Sequence, residues 1–185
     1  MGGYYYLVSS LPMLFNEAAP PLSLQEFLSA CAEQLAEKDM TLLEAVSIIP
    51  TADQQFPAKS AAEGWRQWEI SLRNHIAAQR APHGKDISEY VLHEDEVFLE
   101  IEVGVQEAFA LKSPLEREHF FDKMRWQQLE NLEACHHFDL DRLCVYKIKL
   151  MILEKWAPRT SEKGESNLGG ILNRIDTNYS RGPEE

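Results

Sequence analysis

The chain has 185 residues, 44% of them apolar and 26% charged, the balance of a folded chain rather than a disordered one. That length allows one domain, or two small helical lobes sharing a core. Thirty acidic residues against eighteen basic ones give a formal net charge of −12. This excess argues against a nucleic-acid partner and against unaided docking on an anionic membrane, and it steers the chain towards basic partners.

The first sixteen residues carry no charged side chain, but three tyrosines and Pro12 interrupt the run, and a spanning helix needs about 20 apolar residues. Four Ser/Thr-x-x-Glu pairs then stand before apolar runs: Ser23/Glu26, Thr41/Glu44, Ser60/Glu63 and Ser113/Glu116. In such a capping box the hydroxyl accepts from an orphan helix N–H while the carboxylate reaches back to the cap. After Ser23, the spacing of Leu24, Phe27, Leu28, Cys31 and Leu35 predicts one helix face. After Thr41, Leu42, Leu43, Val46 and Ile49 predict a short helix that Pro50 stops. Residues 51–59 read as a loop. Trp65, Trp68, Leu72 and Ile76 form a stripe that ends before Pro82–His83–Gly84.

Residues 95–105 support two readings. Val97, Leu99, Ile101, Val103 and Val105 alternate with Glu100 and Glu102 as in a strand. Phe98, Ile101, Val105, Ala108 and Phe109 also fit a helical stripe.

Ser113–Pro114 predicts the start of a long helix, with proline at the first helical position where its missing N–H costs least. Asp139 can cap the next helix, which runs to Trp156. It is apolar nearly all round and is therefore expected to be the most buried element. Leu168, Ile171, Leu172 and Ile175 allow a last short helix, and 177–185 reads as a flexible polar tail. The expected fold is all-α: one compact multi-helix domain over 1–185. Pro82–His83–Gly84 is its best internal boundary, between sub-lobes 1–82 and 86–176. Six basic against nine acidic residues lie up to Lys85, and twelve against twenty-one after it, so the acidity concentrates in the second half.

Chemistry is sparsely signalled. Cys31, Cys135 and Cys144 are odd in number and sit in apolar helical patterns, which predicts reduced core thiols and a cytoplasmic setting. Glu116-x-x-His119 and Glu133-x-x-His136 have the spacing of di-iron ligands. They lie roughly 25 Å apart on what reads as one unbroken helix, which argues against a shared metal. Cys135–His136–His137 sits at a helix end, where histidine suits the dipole and can bond free carbonyls. No nucleophile elbow or phosphate loop is present, and Gly169–Gly170 lacks a following lysine. No catalytic residue, cofactor or metal is expected. Glu94–Asp95–Glu96 could contact a basic partner, or simply open a helix with solvated acids.

Three stretches together resemble a bacterial family associated with V-type ATPases and related to their C-type central-stalk component, the d-type component of eukaryotes. The first is Tyr4–Tyr5–Tyr6–Leu7–Val8–Ser9–Ser10–Leu11–Pro12. The second is Trp65-x-x-Trp68–Glu69-x-x-Leu72–Arg73–Asn74, continuing to Arg80–Ala81. The third runs from Ser113–Pro114–Leu115–Glu116 through Phe121–Asp122 and Arg125–Trp126 to Phe138–Asp139–Leu140–Asp141. It continues with Tyr146-x-x-Lys149–Leu150-x-Ile152–Leu153–Glu154–Lys155–Trp156 and ends near Gly164.

The resemblance implies a non-catalytic helical connector that couples the soluble axle of a V-type ATPase or ATP synthase to its membrane rotor ring. Its partners would be that central axle and that rotor ring, and it would sit at the membrane surface without insertion. The chain is much shorter than the archaeal pattern, so it would supply only part of the funnel that the C-type component builds. The resemblance also implies a helix over 94–110. The alternative function is a cytoplasmic all-helical assembly chaperone for a redox or membrane enzyme, which length, charge and fold class suit equally.

Overall fold

A computed structural model of the chain describes residues 3–51, 53–81, 91–92 and 98–157. Among these residues there are seven helices and no strand. They are α1 (Tyr5–Ser10), α2 (Leu24–Ala32), α3 (Glu37–Ala45), α4 (Ala61–Arg80), α5 (Leu99–Ala110), α6 (Pro114–Glu133) and α7 (Leu140–Trp156). The 82–84 boundary, the segment 168–175 and the tail 177–185 lie outside the described residues.

Side-chain caps start four of these helices, because the first turn of a helix has N–H groups with no partner of their own. Ser23, Ser60 and Ser113 accept from the backbone N–H of Glu26, Glu63 and Glu116 at 3.2, 3.2 and 3.4 Å. Asp139 accepts from the Arg142 N–H at 3.0 Å. Ser23 completes a full capping box, since its own N–H donates to the Glu26 carboxylate at 2.8 Å.

Helix α7 is the central element, with α2, α3, α4 and α6 packed on it and α5 packed on α4 and α6. Every residue from Leu143 to Leu150 is buried, as the all-round apolar pattern predicts. Trp65, Trp68 and Leu72 of α4 and Phe121 and Leu129 of α6 complete the core. Elements on both sides of residues 82–84 therefore share a single core. No helix of the described residues is long and apolar enough to cross a membrane.

The structure corrects four expectations. Thr41 caps nothing: α3 starts four residues earlier, and the Thr41 hydroxyl donates to the Glu37 carbonyl at 2.9 Å inside the helix. Val46 is already extended, so the helix ends before the predicted Ile49. Leu35 falls beyond the end of α2, in a turn closed onto the Cys31 carbonyl. Cys135 is exposed in the turn after α6, whereas Cys31 and Cys144 are buried. The N-terminal stretch also forms α1, a short helix with no side-chain cap and hence no motif to announce it.

The two readings of 95–105 are resolved for the described part: a helix begins at Leu99. Ile101, Val105 and Ala108 face the core, while Leu99 and Val103 lie on the outside at 75% and 57% exposure. The strand-like alternation arose because both faces of α5 carry apolar residues.

Candidate functional site

Glu94, Asp95 and Glu96, the residues expected to meet a basic partner, lie outside the described residues. The described residues instead concentrate polar chemistry in the core, on the faces where α4, α6 and α7 meet.

Ser60 sets the start of α4, and from there Trp65, Trp68, Glu69, Leu72 and Ile76 fall on one side at helical spacing. Glu69 is fully buried among these apolar neighbours. Arg125 of α6 meets it with two parallel bonds, Nη2 to Oε1 at 2.8 Å and Nε to Oε2 at 2.9 Å. Arg125 also donates through Nη1 to Asp122 Oδ1 at 2.8 Å. The other Asp122 oxygen accepts from Lys155 Nζ and from the Trp156 indole N–H of α7, both at 2.7 Å. Five side chains from three helices thus form one continuous network.

Burial pushes the Glu69 carboxyl up from its ordinary value, with Arg125 pulling the other way. Burial also opposes the Arg125 charge, but Glu69 and Asp122 outweigh it and hold the guanidinium above its usual range. The pair is ionised, because a guanidinium keeps its proton in proteins and its fork matches a carboxylate. Buried and mutually satisfied, these groups fix how three helices sit against one another.

A second buried cation lies on α7. Lys147 Nζ donates to the carbonyls of Leu43, Glu44 and Val46 at 2.9, 2.9 and 2.7 Å. Three ammonium protons meet three acceptors at the C-terminal end of α3, where the helix dipole favours positive charge. Lys149, two residues further along α7, points elsewhere. It pairs with Glu133 of α6 and lies 5.2 Å from the centre of the Trp126 ring.

The metal-like spacings resolve into helix chemistry. α6 runs from Pro114 to Glu133 as one helix and carries Glu116, His119 and Glu133. His119 stacks on Trp156 at 3.8 Å, and Glu133 pairs with Arg142 and Lys149. Among the described residues, His136, Asp139 and Asp141 bring three donor atoms within 4.8 Å of one another. Their carboxylates are already committed. Asp139 caps α7 and is bonded to His136 Nδ1 at 2.7 Å, while Asp141 accepts from the Ala61 N–H at 2.7 Å at the start of α4. His136 is thus bonded to the Asp139 side chain rather than to the free carbonyls expected for it.

One open surface feature stands out beside this closed interior. Between α5 and α6 runs a groove of about 630 Å³, lined by Leu99, Val103, Gly104, Phe120 and Met124, with Trp68 of α4 also contributing. The helices approach closely there, since a Cβ on Gly104 would collide with the Met124 thioether. Glu100, Glu107 and Lys123 supply charge along it.

The sequence reading missed the buried ions, although a signal existed. Glu69 occupies the i+4 slot after Trp65, and Arg125 the same slot after Phe121, so each interrupts an apolar stripe with a charge. The fold and this network define an all-helical body whose buried ion pairs tie its helices together. Residues 70–179, more than half of the chain, match the family described as proteins of unknown function DUF2764, and the chain belongs to that family. No curated protein and no solved structure matches it.

Proposed function

We propose that this chain is a non-catalytic connector of the central stalk of a V-type ATPase or ATP synthase, joining the soluble axle to the membrane ring. It would act from the cytoplasmic side, peripheral to the membrane through its partners. The observation that carries this reading is where the residues of the resemblance lie. Glu69 belongs to the second stretch, and Asp122, Arg125, Lys155 and Trp156 belong to the third; together they make the buried network. A part that transmits torque needs helices that do not slide past each other. Directional, charge-assisted bonds between α4, α6 and α7 resist such sliding, because the hydrophobic effect is itself non-directional. An acidic body also suits basic surfaces on an axle or ring.

The assembly-chaperone reading draws on a different observation, the open apolar groove between α5 and α6, which could hold a client segment. Affinity purification of the tagged chain from native membranes separates the two. Recovery of V-type ATPase components supports the connector, and recovery of a redox enzyme without them supports the chaperone.

A further inference from the structure

The two walls of the α5/α6 groove differ in charge. α5 carries three glutamates and no basic residue, and two of them, Glu100 and Glu107, line the groove beside Leu99 and Val103. These two stand seven residues apart, two turns and about 10 Å along one side of the helix. Both are exposed, and neither has a hydrogen bond or ion pair among the described residues. The α6 wall offers Phe120 and Met124, a single cation, Lys123, and the uncharged Gln127 and Asn131.

The apolar part of the groove is open to water, with Leu99 75% and Val103 57% exposed, and a contiguous apolar surface rimmed by polar groups suits a partner. The walls decide the form of that partner. α5 and α6 spend their backbone N–H and C=O groups within their own helices, so they present no edge with which an extended segment could pair. A helix satisfies its own backbone and needs only side-chain contacts. From Phe120 to Asn131 the α6 wall is about 16 Å long, room for about three helical turns.

Charge separates a foreign helix from a second copy of the chain. In a two-fold pair the patch faces itself, which sets four glutamates against two lysines between bodies of formal charge −12 each. A helix with basic residues along one edge meets Glu100 and Glu107 directly, whereas an acidic one is repelled.

We propose that the groove is a docking site for an amphipathic helix of another protein. Its apolar stripe lies on Leu99, Val103, Phe120 and Met124, and two Lys or Arg residues, two turns apart, meet Glu100 and Glu107. This rests on neither the connector nor the chaperone reading, and it states what the groove recognises under both.

The test uses the full chain and two stapled synthetic helices that share one stripe of leucines. The first carries two lysines, two turns apart on one edge, and the second carries glutamates at the same places. Reversing the direction of a helix puts either edge on α5, so the probes assume no orientation. By fluorescence anisotropy the lysine helix should bind about tenfold or more tightly than the glutamate helix, a preference that shrinks as salt rises. Glu100→Lys with Glu107→Lys should reverse the preference. Leu99→Ser with Val103→Ser should weaken binding of the lysine helix about tenfold. Helix content by circular dichroism should stay unchanged in that variant, because both side chains are exposed. Failure of the lysine helix to bind, equal binding of the two helices, or a preference that survives the charge reversal would each overturn the proposal. So would concentration-dependent dimers in sedimentation that Leu99→Ser with Val103→Ser abolishes, which would assign the groove to a second copy.

Discussion

Arg125 of α6 grips Glu69 of α4 in a two-point bond, 2.8 and 2.9 Å, across 56 residues of sequence and away from solvent. Its third N–H contact holds Asp122, which in turn holds Lys155 and Trp156 of α7. The arrangement is asymmetric. Asp122 has three partners, whereas Arg125 is the only side chain bonded to Glu69 among the described residues.

That asymmetry orders the mutational costs. Arg125→Met strands the fully buried Glu69 and should cost about 3–5 kcal/mol, the usual penalty for breaking a buried pair. Glu69→Gln leaves Arg125 with Asp122 and should cost less. Replacing both, as Glu69→Leu with Arg125→Met, should recover much of the loss, because Glu69 is then no longer a stranded charge. Urea midpoints for Arg125→Met, Glu69→Gln, Glu69→Leu and the double variant decide this, and losses for the double equal to the sum of Arg125→Met and Glu69→Leu would contradict it.

Lys147 offers a more local test. Burial lowers its ammonium from the ordinary value, and the carbonyls of Leu43, Glu44 and Val46 compensate. Lys147→Met keeps the stem and removes all three bonds, at a cost of about 1–3 kcal/mol. Hydrogen exchange should accelerate first in α3 and at Val46, with α6 little changed. Uniform acceleration across the chain would mean that Lys147 does not anchor α3 specifically.

The three cysteines should separate cleanly. Cys135 is exposed, while burial pushes the Cys31 thiol up to about 11 and the Cys144 thiol up to about 12. Only the thiolate attacks. A maleimide or aromatic disulfide at neutral pH should therefore label one thiol per chain quickly and the other two only after unfolding. Mass mapping that found Cys31 or Cys144 labelled as fast as Cys135 would contradict the packing of α2 on α7.

How much of this was legible in the sequence follows from the range of each signal. Ser23, Ser60, Ser113 and Asp139 act on N–H groups three residues away, so they marked four helix starts correctly. Thr41 carries the same local motif, but nothing within four residues reveals that its helix had already begun at Glu37. Cys135 continues the α6 periodicity, and only the turn before Asp139 takes it out of the core. Lys147 and Glu69 interrupt apolar stripes, but what holds them in the core was not legible because their partners lie about 100 and 56 residues away. An apolar stripe shows where burial occurs, but an ion within it becomes intelligible only once its partner is in place.

A central-stalk connector must do one thing that an assembly chaperone for another enzyme need not: bind purified central-axle or rotor-ring components of a V-type ATPase. Binding should be measured across a salt series beside a variant in which Glu94, Asp95 and Glu96 are all changed to Lys. Wild-type protein should bind at least one component. The variant should associate more slowly with weaker salt dependence, since surface charge acts mainly on encounter and is screened over about 8 Å at physiological salt. Absence of wild-type binding to both components would contradict the connector role.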